Sequence, residues 1–137
     1  IAECGTVVHP QGLANQLRGG AVWGIGLSAL ERHLYDPQNG LPASSGFWQS
    51  KIPTYLDTPA EIGTGWVDLP DPENPVGARG IGEPSMGAVS AALNAAISDA
   101  LGGHMFDAAP VTTDMIVNHI AGISEDATPL AQNNFRG

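Results

Sequence analysis

Between Leu13 and His33 the chain reads as a helix that carries glycine where helices tolerate it least. Trp23, Leu27, Leu30 and Leu34 recur at helical spacing and predict one apolar stripe. Gly19, Gly20, Gly24 and Gly26 fall within the same segment. Each costs on the order of 1 kcal/mol relative to alanine in a helix interior, so local propensity did not put them there. Spacing leaves two explanations open. Either another backbone or a ligand approaches this helix closely, or the helix packs tightly on a sheet.

The rest of the chain predicts a mixed α/β fold of short strands around two main helices. Residues 1–10 read as a strand that runs into a His9-Pro10 stop. Residues 34–70 read as short strands and turns, with a turn at Asp36–Gly40 and strands expected over Phe47–Tyr55 and Ala60–Leu69. A glycine-rich turn, Gly77 to Gly82, leads to Pro84, which suits the first turn of a second helix. Val89, Leu93, Ala96 and Ala100 are expected along one face of that helix, and Gly102-Gly103 is expected to end it. One more short helix is expected over Thr113–Ile120, followed by a polar tail. The expected organisation is one domain over 1–125 and a C-terminal tail over 126–137.

Composition excludes several functions. The formal net charge is -9 with only five Lys or Arg, which argues against a nucleic-acid partner. No apolar run approaches the roughly 18 residues of a membrane-spanning helix. The N-terminal Ile-Ala-Glu-Cys-Gly has no signal-peptide pattern and is expected to lie inside a longer or processed protein. The single Cys4 rules out an internal disulfide and an all-cysteine metal site, and is expected to be a small buried hydrophobe.

The sharpest chemical signal is Gly80-Ile81-Gly82-Glu83-Pro84-Ser85. It fixes a carboxylate between a glycine, which lets a ligand come near the backbone, and a proline at a helix start. Glu83 can serve there as an acid favoured by the helix N-terminus, worth roughly 0.3–1 kcal/mol, or as a general base held on a rigid element. Spacing does not decide between them. Competing signals are weaker. The Gly80-x-Gly82 pair lacks the third glycine of a dinucleotide fingerprint, and there is no P-loop lysine. His9, His33, His104 and His119 lack metal-ligand spacing and are expected to be surface or capping residues. The serines lack a nucleophile-elbow context.

Taken in order, the motifs resemble those of the C-terminal part of the molybdopterin-binding subunit in the xanthine dehydrogenase/aldehyde oxidase family of molybdenum hydroxylases. Glu3-Cys4-Gly5-Thr6-Val7-Val8-His9-Pro10 resembles that family's Asp-Cys-Gly-x-x-Val-Asn-Pro, and Asn15-Gln16-Leu17-Arg18-Gly19-Gly20 its Gly-Gln-x-Glu-Gly-Gly. Phe47, Ile52-Pro53 and Asp57-Thr58-Pro59 match further landmarks. Gly77-Ala78-Arg79-Gly80-Ile81-Gly82-Glu83-Pro84 looks like Gly-Ala-Lys-Gly-Val-Gly-Glu-Pro, and Pro110-Val111-Thr112 like a Pro-x-Thr near the family's C-terminus. The likeness runs from Ile1 to about Ile120.

The resemblance implies roles. Glu83 matches the glutamate that accepts a proton from the Mo–OH group, after which the activated oxygen attacks an electron-poor substrate carbon. Gln16 matches the glutamine that hydrogen-bonds the cofactor beside the metal. Gly80 and Gly82 would bring backbone amides near the cofactor, and no residue of this chain is expected to ligate the metal itself. The implied cofactor is molybdopterin, as a cytosine dinucleotide. FAD and 2Fe–2S clusters would be carried on partner chains beside a larger molybdopterin-binding chain. Aldehydes or N-heterocycles are the implied substrates, and the cytoplasm the implied compartment, with a periplasmic signal on a partner as the alternative. The family encloses its cofactor with several hundred residues, so this chain alone is expected to be inactive. The other class of function is a non-catalytic assembly module that keeps the fold. His9, Asn15 and Arg18 depart from the family pattern; Arg18 reverses a charge, which matters if that position is buried.

Overall fold

The structure is a computed structural model and describes residues 1–123. The tail expected over 126–137 lies outside the described residues. His9 opens the first helix: its Nδ1 accepts a hydrogen bond from the Gly12 amide at 2.6 Å. Pro10 follows at the first helical position, where its missing N–H costs nothing. The helix α1 (Pro10–Ala29) therefore starts before Leu13 and ends before His33. His9-Pro10 is a helix start, not the stop of a strand, and the strand expected over 1–10 is confined to β1 (Ala2–Glu3).

The buried face of α1 comprises Leu13, Ala14, Leu17, Gly20, Ala21, Gly24, Gly26 and Ser28. This corrects the expected stripe. Trp23 is 49% exposed, and Leu34 lies beyond the helix at 40%. The reason is what α1 meets, namely the second helix, α2 (Pro84–Ala100), and not a sheet. A Cβ added at Gly20 would overlap the Ser85 hydroxyl, and one added at Gly24 would lie 2.8 Å from the Met86 carbonyl oxygen. At Gly20 and Gly24 close approach by another chain segment is the explanation realised, whereas Gly26 is closed by the side chains of Glu31 and Pro53 and Gly19 meets nothing within 4 Å. Ser28 completes the crossing: fully buried, its hydroxyl sits 2.8 Å from the Gly24 oxygen, 3.1 Å from the Ser90 oxygen and 3.0 Å from Ser90 Oγ. A hydroxyl can be buried there because backbone and Ser90 partners surround it.

Pro84 and Gly102-Gly103 bound α2 as expected. Its inner side runs through Val89 and Leu93 together with Met86, Ser90, Asn94 and Ile97, whereas Ala96 and Ala100 are exposed. The third helix, α3 (Thr113–Ala121), ends on Gly122 in the left-handed conformation. Buried Val111 ties its lead-in to α1 by donating to the Ser28 carbonyl at 2.7 Å.

Strand content is small. β2 (Trp66–Val67) is all that forms of the expected Ala60–Leu69 strand, and it pairs in parallel with β1, Ala2 against Trp66 and Glu3 against Val67. No strand forms over Phe47–Tyr55. A strand needs a neighbour for its backbone groups, and among the described residues that segment has none. Instead a 3-10 turn, Tyr55–Asp57, is held by the Asp57 carboxylate, which accepts from the Thr54 amide and hydroxyl and from Lys51. The core is correspondingly slight: Cys4, Leu13 and Leu17, with Ala2, Val7 and Ile81 against them. Cys4 is buried with a free thiol, as expected. Trp48, Tyr55 and Leu56, at 93%, 92% and 91% exposure, leave apolar surface of the kind other protein normally covers.

Candidate functional site

The turn before α2 is anchored twice, first to the N-terminal segment. Gly5 and Gly77 both have positive φ, +72° and +69°, and an added Cβ at Gly5 would overlap the Gly77 carbonyl oxygen. That oxygen accepts from the Thr6 amide at 2.7 Å and the Asp71 amide at 2.9 Å. Next in the chain, the Arg79 amide donates to the Cys4 carbonyl at 2.6 Å. The Arg79 guanidinium reaches Glu3 Oε2 at 2.6 Å and Asp71 Oδ2 at 3.4 Å, while Glu3 Oε1 accepts from the Gly5 amide at 2.6 Å. Arg79 is half exposed, so each pair adds no more than about 1 kcal/mol. What the clamp contributes is a fixed position for residues 77–79.

The second anchor comes from α1. Gln16 Nε2 donates to the Gly82 carbonyl at 3.3 Å, across a sequence separation of 66. Two residues singled out by sequence thus meet directly at the peptide that precedes Glu83. Glu83 occupies the N-cap position of α2 with helical φ and ψ of -87° and -9°, and its side chain makes no capping hydrogen bond. Its carboxylate is exposed and forms no hydrogen bond or ion pair with another described residue. Capping therefore does not account for this side chain, although the helix dipole still favours its charge. No hydrogen bond joins the Gln16 and Glu83 side chains.

Gly80 and Gly82 raise a different point. Neither has positive φ, and an added Cβ at either meets nothing within 4 Å. Neither backbone conformation nor packing among the described residues requires glycine there. The open space over them suits a group from outside the chain that approaches the backbone closely. The turn also divides two hollows. One of about 280 Å³ has Gln16, His9, Thr6 and Arg79 on its wall; the other, of about 330 Å³, has Gly80, Pro84, Ser85 and Leu17. Among the described residues no cluster of three or more His, Cys, Asp or Glu is arranged to hold a metal ion. Hydrogen-bonding groups and an uncommitted carboxylate are what this surface offers.

The three departures now have structural places. His9 uses Nδ1 as the helix-capping acceptor, a task an asparagine oxygen performs equally well. Asn15 and Arg18 are both exposed and hydrogen-bond each other at 3.4 Å, so the charge reversal at Arg18 is not buried among the described residues. The Glu3–Arg79–Asp71 clamp had no local signal, because its partners are brought together only by the fold. The same holds for His104, whose ring stacks on His119 at 3.8 Å with Phe106 edge-on at 4.6 Å. No helix among the described residues is long and apolar enough to cross a membrane.

Comparison with known proteins bears on the family and the fold. Residues 1–59 match the family model of a molybdopterin cofactor-binding domain. The chain is 34% identical, over 90% of its length, to the 6-hydroxypseudooxynicotine dehydrogenase complex subunit gamma of Paenarthrobacter nicotinovorans. It is 26% identical, again over 90%, to the xanthine dehydrogenase molybdenum-binding subunit of Escherichia coli. Its fold superposes on quinoline 2-oxidoreductase from Pseudomonas putida with a TM-score of 0.81, at 33% identity and over 89% of this chain. The chain spans only 16% of the length of each of these three proteins.

Proposed function

The chain belongs to the molybdopterin cofactor-binding family, and we propose that it is part of the large subunit of a molybdenum hydroxylase, that Glu83 is the base of the assembled enzyme and that Gln16, Gly80 and Gly82 contact its cofactor. The observation that carries this reading is the Gln16–Gly82 hydrogen bond, which couples the glutamine of α1 to the peptide immediately before Glu83. When bound, the cofactor supplies a metal centre that acidifies water and takes up two electrons from the substrate. The chain's own residues supply a proton acceptor and a means of holding it in place.

Glu83 takes the proton on a carboxylate oxygen. Because that carboxylate has no competing partner within the described chain, nothing has to be broken before it accepts. Its backbone is fixed by the start of α2, where the Met86 amide donates to the Glu83 carbonyl at 2.9 Å. A base on a rigid helix start loses little in reorganisation when proton transfer occurs. Gln16 spends one N–H on Gly82 and keeps Oε1 and the second N–H for the cofactor. Gly80 and Gly82 keep side chains out of the space the cofactor would fill.

The substrate is proposed to be an aldehyde or an N-heterocycle, and the cofactor the cytosine dinucleotide form. The functional unit is residues 1–125, completed by a larger molybdopterin-binding chain, with FAD and 2Fe–2S clusters on further subunits, in the cytoplasm. The test is to purify the chain with its natural partners, measure molybdenum by mass spectrometry, and assay oxidation of a panel of aldehydes and N-heterocycles. A molybdenum-loaded complex that oxidises a member of the panel supports the proposal. A stable complex without molybdenum would make the chain a non-catalytic assembly module instead.

A further inference from the structure

Gln16 and Glu83 sit on different helices, so their separation is only as fixed as α1 is against α2. A close contact between the two helices lies one turn beyond Gln16 on α1 and two residues beyond Glu83 on α2, where Gly20 meets Ser85. A Cβ added at Gly20 would overlap the Ser85 hydroxyl and stand 2.9 Å from Ser85 Cβ, about 0.5 Å closer than ordinary van der Waals contact. Rotating the hydroxyl away would leave the Cβ contact unrelieved. Ser85 Oγ is itself shut off from solvent with no hydrogen-bond partner. A buried hydroxyl without a partner costs free energy, so hydrogen bonding does not explain its place here. Its small bulk against a residue with no side chain does.

We infer that the Gly20–Ser85 contact positions the site by setting how closely the start of α2, and with it Glu83, stands to Gln16. The inference rests on the catalytic reading of Glu83. Any enlargement at either residue wedges the helices apart two residues beyond the base. Catalytic groups tolerate little displacement: a shift of about 1 Å costs on the order of a hundredfold in rate, so half of that costs about tenfold. Gly20 and Ser85 touch no reacting atom in this account and act through the backbone.

The test uses the complete molybdenum-loaded enzyme with Gly20→Ala, Ser85→Val, and Gly20→Ala combined with Ser85→Gly. Gly20→Ala is expected to lower kcat about tenfold with KM and molybdenum content near wild type, Ser85→Val likewise, and the double variant to recover most of the loss. Crystal structures of the same variants give a readout independent of turnover. The Gln16 Nε2 to Gly82 O distance should lengthen beyond 3.3 Å in the single variants and return in the double. If Gly20→Ala does not accumulate, recovery of folded protein in the double variant supports the contact, and no recovery overturns it. Wild-type kcat in both single variants, or a kcat loss that Ser85→Gly leaves in place, also overturns it. A Glu83→Gln control separates the two claims: full activity there sinks the base, whereas the distance change in the crystal structures still judges the contact.

Discussion

Replacing Gly24 by alanine should loosen α1, whereas the same replacement at Gly19 in the same helix should tighten it. Both substitutions gain about 1 kcal/mol of helix propensity. At Gly19 the new methyl meets nothing within 4 Å, so about 0.5–1 kcal/mol of that gain should survive. At Gly24 the new Cβ would stand 2.8 Å from the Met86 carbonyl oxygen, 2.9 Å from Val89 Cβ and 3.0 Å from Val89 Cγ1. The first two are fixed by the α2 backbone and cannot turn aside. Overpacking of this kind costs about 1–3 kcal/mol, and with rigid neighbours the upper part of that range applies, leaving a net loss of about 1–2 kcal/mol. Native-state hydrogen exchange of the α1 amides, measured in the complete subunit, reads the difference. At 1.4 kcal/mol per factor of ten, Gly24→Ala should speed exchange about 5- to 30-fold and Gly19→Ala should slow it about 2- to 5-fold. Changes of the same sign at both positions would refute the helix crossing as the reason for the glycines.

Three further outcomes follow from particular contacts. His9→Ala removes the cap of α1 and should cost about 1 kcal/mol by denaturant unfolding of the subunit, whereas His9→Asn should retain most of it; an unaltered His9→Ala would discount the cap. Hydrogen bonds from Lys51 and then from the Thr54 hydroxyl and amide hold the Asp57 carboxyl at about 2, below its ordinary 3.8. A depressed acid contributes stability that is complete above 3.8 and lost as pH falls from there through about 2. NMR titration should therefore place the Asp57 midpoint near 2, with Lys51→Met moving it toward 3.8; a wild-type midpoint at 3.8 would discount the Lys51–Thr54 bonds. Arg79→Ala, which removes both ion pairs, should cost less than about 2 kcal/mol in thermal unfolding, because the guanidinium is half exposed and the Arg79 amide bond to Cys4 remains. A loss of several kcal/mol would mean the clamp carries the fold as well as the turn.

The sequence was most informative where a residue type had a local job. Pro84 and Gly102-Gly103 marked the ends of α2, and Thr113–Ile120 came within a residue of α3, because proline, glycine and helical periodicity act over neighbouring positions. It was least informative where the partner was distant. The apolar stripe Trp23, Leu27, Leu30 and Leu34 looked like a core face, yet α1 turns its small residues inward because another helix crosses it there. His9-Pro10 has a strand-stop appearance that only the Gly12 hydrogen bond resolves into a cap. Strands expected over 47–55 and 60–69 shrank to two residues or none, since strand formation depends on neighbours that the described chain supplies only at β1.

For the site, the sequence named the residues but not their meeting. Glu83 stood out as a carboxylate between Gly82 and Pro84, and Gln16 through a motif resemblance. No pattern along the chain links position 16 to position 82. The fold does so through α1 and through the Glu3–Arg79–Asp71 clamp, whose charges are scattered over the sequence.

The most direct test of the central claim is steady-state turnover of the molybdenum-loaded complex carrying Glu83→Gln. Glutamine keeps the size and hydrogen-bonding reach of glutamate but cannot serve as a carboxylate base. Loss of a general base costs about a hundredfold or more. A fall in kcat of at least that size is expected, with molybdenum content and thermal stability unchanged. Turnover at the wild-type rate in a fully loaded variant would contradict it.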